Sequence, residues 1–196
     1  MKVMPRPTIG VMGPATATVG PSDLTHFESL ATRLGAAIVK HNCVLITGAT
    51  TGVPDLVSRA AKAAGGLTIG ISPAATRAEH VQHYKLPIEA ADVIVYTGFG
   101  LKGRNVINIR SSDIVIVFGG SIGTLNEFTI AHDEDKVIGA LTGTGGVADN
   151  IEEIVRFCNK PSSSRLFFDD DPESLVKTCV DYWESSFQHN PAGADV

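Results

Sequence analysis

The feature that most limits what this chain can fold into is a repeated pairing of short apolar runs with glycine- and threonine-rich loops. Thr8 to Met12, Val44 to Thr47, Leu67 to Ile71, Val93 to Tyr96, Ile114 to Phe118 and Val137 to Leu141 are short, β-branched and apolar, and a weaker run follows at Leu166 to Phe168. Runs of that length read as strands, and continuous rather than alternating apolarity predicts a sheet covered on both faces. Helical spacing fills the intervals. Phe27, Leu30, Leu34 and Ile38 share one face behind Thr25 and Glu28, which have the spacing of a capping box. Pro54 suits the first turn of a helix over Leu56 to Ala64, which Gly65-Gly66 ends. Asp149 or Asn150 can cap a helix through Phe157, and Pro172 opens a last one whose Leu175, Val176, Cys179, Val180 and Trp183 face one way. The expected fold is α/β, a Rossmann-like doubly wound parallel sheet of about seven strands in a single domain over residues 1–188, with 189–196 as a flexible tail. Ser72 to Pro87, polar and aperiodic, reads as a surface loop with one helical turn at most.

Composition narrows the function. With 196 residues, 43% of them hydrophobic, the chain can bury a full core. Its 16 basic residues are scattered and the formal charge is −5, which argues against a nucleic-acid partner. No apolar run approaches the roughly 20 residues that span a bilayer, and the opening residues lead straight into the first strand, so a cytoplasmic location without membrane partner is expected. Cys43, Cys158 and Cys179 are odd in number and lack CxxC spacing, so they read as reduced core residues. His80 and His83 stand three apart without a supporting ligand, and His132 precedes the acidic turn Asp133-Glu134-Asp135, so no metal site is expected. No Ser, His and Asp set is marked by local sequence, and nothing around Lys85 or Lys102 marks a pyridoxal lysine.

The chemistry is expected in the loops. GPATATVG, GATTG, TGFGLKG, GGSIGT and TGTGG each follow a strand, and the carboxyl edge of a parallel sheet is where glycines and helix N-termini receive anionic ligands. Gly13, Gly48, Thr51, Gly52, Gly98, Asn105, Gly119, Gly120, Ser121, Ile122, Gly123 and Thr124 are the candidate phosphate-binding residues. The segment Gly119 to Glu127 is neither a Walker loop nor GxGxxG. Thr124 and Glu127 have capping-box spacing, so Glu127 is either a cap or a functional carboxylate.

The stretch from Val93 through Ala131, VIVYTGFGLKGRNVINIRSSDIVIVFGGSIGTLNEFTIA, resembles the Lonely Guy (LOG/SLOG) superfamily, and GATTGVPDLVSRAAKAAGGLTIGISP is similar to that family's second glycine-rich loop. The family motif PGGxGTxxE maps onto Gly119 to Glu127, with Gly119 at the proline and Ser121 at the second glycine. The same register puts Arg104 on the family's catalytic arginine and Asn105 where the hydrolases carry lysine. The resemblance implies a nucleotide-binding protein. As a phosphoribohydrolase it would cleave the N-glycosidic bond of a nucleoside 5′-monophosphate and need no cofactor, with Glu127 and Arg104 catalytic. As a molybdenum-cofactor (molybdopterin) carrier it would hold its ligand without turnover. A nucleotide-sensing module is the third class. Under each, the partner is a small phosphate-bearing ligand, and the resemblance implies a homodimer or homotetramer.

Overall fold

A computed structural model describes residues 5–15 and 21–189. Seven strands, β1 (Thr8–Met12), β2 (Val44–Thr47), β3 (Thr68–Ser72), β4 (Val93–Tyr96), β5 (Ile114–Phe118), β6 (Val137–Leu141) and β7 (Arg165–Asp169), form one sheet in the order β4-β3-β2-β1-β5-β6-β7. Every recorded pairing is parallel. Six helices alternate with them: α1 (Pro21–Lys40), α2 (Val53–Ala63), α3 (Gly100–Arg110), α4 (Ile122–Asp133), α5 (Ile151–Cys158) and α6 (Pro172–His189). The expected doubly wound fold is therefore present. No helix among the described residues is long and apolar enough to cross a membrane.

Each face of the sheet has its own core. Phe27, Leu34 and Ile38 of α1, Val57 of α2 and Leu175 and Val180 of α6 pack with Ile9, Leu45, Ile116 and Phe118. On the other face Ile109 of α3, Phe128 and Ala131 of α4 and Ile151 of α5 pack with Met12, Val115, Val117 and Ile138. Strand β5 is buried at all five positions, which is why its sequence is apolar without alternation.

One polar device recurs where strands start. Asp113, just before β5, accepts from the Thr8 amide and hydroxyl, both at 2.8 Å, and its own amide donates to the Thr8 hydroxyl oxygen at 2.9 Å. Asp92, just before β4, holds Thr68 of β3 in the same way, with the Thr68 amide at 2.9 Å. The backbone bond from Thr68 holds the Asp92 carboxyl below its ordinary range. Both pairs lock the register of adjacent parallel strands.

Several local expectations are corrected. Helix α1 starts at Pro21, so Thr25 lies inside it and cannot cap it; proline at the start supplies the preset φ instead. Asn150 is the N-cap residue of α5, but neither it nor Asp149 caps by side chain. The Asp149 carboxylate accepts from Gly143 and Gly145, and the Asn150 amide donates to the Gly146 carbonyl. The segment from Ser72 is not wholly a surface loop. Ser72 ends β3, a π-helical turn runs over Glu79–His83, and His80 is fully buried. Its ring lies 2.8 Å from the Ser72 hydroxyl and 3.0 Å from the Pro87 carbonyl, so both nitrogens are satisfied within the core. Strand β4 also departs from the expectation of two covered faces. As the sheet edge it leaves Val93 and Val95 exposed.

Candidate functional site

The strand order reverses between β1 and β5, because the chain builds outward from β1 to β4 and then crosses to the opposite side. Crevices at such a switch, beyond the carboxyl ends of the strands, are where open α/β sheets bind ligands. A cleft of about 290 Å³ lies there. Its wall is drawn from the segments after β1, β2 and β5 and from α3, and brings together Gly13, Gly48, Arg104, Asn105, Ser121, Gly123, Thr124 and Glu127.

Arg104 and Glu127 form its polar floor. They reach it from α3 and α4, pair at 3.3 Å through Nη1 and Oε1, and are only 6% and 7% exposed. Helix α4 removes the capping reading of Glu127. The N-cap residue is Ser121, Thr124 is the third helical residue and Glu127 the sixth, so the capping box is absent and the carboxyl is turned to Arg104. Placed so that its nitrogen faces acceptors, the Asn105 amide also donates to Glu127 Oε1 at 3.3 Å and to the Leu101 carbonyl at 2.9 Å. Arg104 in turn has more donors than acceptors. Among the described residues its Nε is buried without a partner.

The guanidinium rests on Gly48. A β-carbon there would stand 2.3 Å from both terminal nitrogens, so only glycine leaves room for the guanidinium where it lies. This is the physical reason for the glycine that opens GATTG.

Burial pushes the Glu127 carboxyl above its ordinary range, against the opposing fields of Arg104 and then Lys102. Desolvation pulls Arg104 the other way, although a guanidinium stays charged at any pH of interest. An ordinary glutamate titrates near about 4.3, so Glu127 acquires its charge only as pH rises through a higher value. Affinity for an anion in the cleft should fall across that window. Glu127→Gln has no proton to lose, so its phosphate affinity relative to the unaltered protein should grow with pH there and then level. A ratio that stays flat from about pH 4 to 8 in titration calorimetry would refute this assignment.

The remaining candidates are divided. Thr51, Gly52, Gly98, Gly119, Gly120 and Ile122 do not line the cleft. Thr51 donates to the Ala15 carbonyl at 2.5 Å, tying the second loop to the first. Gly98 donates to the Ala74 carbonyl at 2.9 Å, towards the β4 edge. The TGTGG loop supports the fourth loop from behind. The Thr144 hydroxyl accepts from Gly119 at 2.8 Å, while Ala148 and Val147 donate to the Gly119 and Gly120 carbonyls, each at 3.1 Å. Most of GPATATVG lies outside the described residues.

Sequence reasoning missed Met12, Thr50, Leu101 and Lys102, all of which line the cleft. Lys102 was the findable one, since it precedes Arg104 by two positions at the start of a helix following a glycine loop. A β-carbon on Gly123 would lie 3.4 Å from its Nζ, so the ammonium sits over the first turn of α4. Lys102 makes no ion pair or hydrogen bond recorded among the described residues.

Comparison with known proteins agrees with this picture. A protein of unassigned function from Archaeoglobus fulgidus is 33% identical over 163 residues, covering 81% of this chain and 96% of its own. The molybdenum cofactor binding protein of Rippkaea orientalis superposes with a TM-score of 0.71 at 32% identity, covering 94% of this chain and 99% of that one. The molybdenum cofactor carrier protein of Chlamydomonas reinhardtii gives 0.71 at 27% identity, covering 92% and 99%. The resemblance carried by GGSIGTLNE thus extends to nearly the whole fold, and with residues 6–176 matching its pattern, the chain belongs to the SLOG cluster4 family.

Proposed function

We propose that the cleft binds a phosphate-bearing heterocyclic ligand of the molybdenum-cofactor type and holds it without turnover. The observation that carries this reading is Arg104, buried on the cleft floor with an unpartnered Nε. A buried donor without an acceptor costs about 1–3 kcal/mol, and an oxygen-rich anion would remove that cost. The ligand's phosphate would lie against the first turn of α4, where unpaired amides and the helix dipole favour an anion, with Lys102 beside it. Met12, Pro14, Pro54 and Leu101 give the remaining wall an apolar character suited to a flat ring system. The similarity to proteins described as binding or carrying this cofactor supports the same reading.

The Arg104–Glu127 pair also favours a second reading, hydrolysis of a nucleoside 5′-monophosphate, in which Glu127 would stabilise positive charge developing on the ribose. That role needs an ionised carboxylate, which burial opposes and the field of Arg104 favours. Two measurements on the purified protein separate the readings. Native mass spectrometry after incubation with molybdopterin should show one ligand per chain, and a panel of nucleoside monophosphates should release no ribose 5-phosphate. Release by the unaltered protein, lost by roughly 10²- to 10⁴-fold in Glu127→Gln, would establish the hydrolase instead.

A further inference from the structure

Helix α3 sends a third polar side chain beneath the cleft floor. Asn108 follows Arg104 by four positions, on the same helix face, and is wholly buried. Its Nδ2 donates to the Met12 Sδ at 3.3 Å, and the side chain also hydrogen-bonds the Glu127 carboxyl. Among the described residues its Oδ1 is buried and accepts from nothing. Adjacent turns of α3 thus hold a donor without an acceptor, Arg104 Nε, and an acceptor without a donor, Asn108 Oδ1. We propose that Asn108 is a positioning residue for anion binding: its amide donates to Glu127 while that carboxyl is charged and, after a half-turn about Cβ–Cγ, accepts from it when it is neutral, so that Glu127 can release Arg104 to the ligand. This rests on the reading of the cleft as an anion site and not on which ligand fills it.

Arg104 is loosely held. Charge-assisted N–H···O bonds run about 2.7–2.9 Å, whereas Nη1 stands 3.3 Å from Glu127 Oε1. An oxyanion that reaches the guanidinium competes with Glu127 for it, and two negative charges at one buried cation favour protonation of the weaker acid's anion. Glu127 then takes a proton from solvent. The neutral carboxyl carries an O–H, and a buried donor needs an acceptor.

The surroundings of Glu127 are rich in donors and poor in acceptors. Helix α3 presents the cations Arg104 and Lys102 and the Asn105 amide. Strands β1, β5 and β6, which also pack against α4, carry no titratable side chain, and α4 itself has no other charged residue within a turn of Glu127. Asn108 Oδ1 is the side-chain acceptor left unused. Turning the amide gives up only the bond to a thioether, a weak acceptor.

Sulfate tests this without reference to the natural ligand, because it stays ionised and exchanges no proton of its own near neutral pH. Titration calorimetry in two buffers of different ionisation enthalpy reads the protons taken up per sulfate bound. The unaltered protein should take up a proton, with uptake rising as pH passes the value of Glu127 in the unliganded protein and fading above its higher value in the complex. Glu127→Gln should show no uptake at any pH. Asn108→Leu should narrow the uptake window from both sides, since losing the donor raises the first value and losing the acceptor lowers the second. Its sulfate affinity near neutral pH should fall by about tenfold, the scale of one lost hydrogen bond. A second measurement needs no change at this buried position: the nuclear magnetic resonance signal of the Asn108 side-chain amide should shift on sulfate binding over the same pH window. Sulfate bound without proton uptake overturns the proposal, as does a window unchanged in a folded Asn108→Leu, an Asn108 amide signal that does not move, or no sulfate binding at all. Molybdopterin capture alongside any of these leaves the carrier reading standing, whereas release of ribose 5-phosphate would remove that reading and leave the proton uptake intact.

Discussion

Replacing Arg104 with alanine is expected to lower stability by about 3–5 kcal/mol, the scale for removing one member of a buried ion pair, and to abolish ligand binding. The loss arises less from the missing contact than from what stays behind. Glu127 would be left in the core with the Asn105 and Asn108 amides to donate to it and, of the two positive charges that favour its ionised form, only Lys102. The pH dependence follows from the sign of its shift. Burial raises the folded-state carboxyl value, so below the unfolded value of about 4.3 the group is neutral in both states and the penalty vanishes. Arg104 lowers that value, so in the variant it rises further, and the penalty is complete only above the variant's higher value. Urea denaturation of Arg104→Ala should therefore show a deficit that grows as pH rises from about 4 to 8. Arg104→Ala combined with Glu127→Gln should recover most of the stability and none of the binding. A deficit equal at both ends of the range, or undiminished in the double variant, would show that the pair is not the origin of the effect.

The second large effect is expected from a residue that never touches the cleft. Gly146 has φ near +60°, and a β-carbon there would stand 2.1 Å from the Gly120 carbonyl oxygen. The backbone conformation alone disfavours an L side chain by about 1–2 kcal/mol, and the collision is with main chain, which cannot rotate away. Gly146→Val should therefore push the GGSIGT loop off its support and displace the first turn of α4. Phosphate affinity should drop by about a hundredfold if the amides and Lys102 are the binding groups, with a melting temperature lower by several degrees. Gly143→Ala is the matched control. It has positive φ in the same loop but open space where the methyl would go, so it should cost stability while leaving affinity intact. Equal loss of affinity in the two variants would mean that loop strain, and not loop position, governs binding.

The contrast between Gly120 and Gly146 also shows what a sequence of this kind reveals. The five inner strands were legible because their burial is nearly complete. Ile114 to Phe118 has only one environment to occupy, and its residue types state it. The Arg104–Glu127 site was legible through resemblance to a motif, and the helix pattern explains why residues 23 positions apart can meet. The TGTGG loop misled because positive-φ glycines serve a ligand and a supporting strut equally well. Only the Thr144 and Asp149 contacts distinguish them. The capping box misled at Thr25, and the same spacing left Thr124 undecided, because T-x-x-E records a spacing while the cap requires a chain break at the threonine, and both helices begin earlier. Ser72 to Pro87 was misread because polarity marks surface only on average. A histidine with two internal partners is as well buried as a leucine.

The lock between Thr8 and Asp113 spans 105 residues, and it closes the boundary between the two halves of the sheet above which the cleft opens. Arg104 lies before that boundary and Glu127 beyond it, so neither half of the chain holds the complete site. During synthesis the ligand would find nothing to grip until α4 had been made and β5 had docked on β1, the slow step expected of long-range parallel pairing. Once docked, a tight ligand present at 100 times its dissociation constant would add about 2.7 kcal/mol to the whole fold rather than to one loop. A bound ligand would thus act as a late clasp, and a chain that lost it would become measurably easier to unfold.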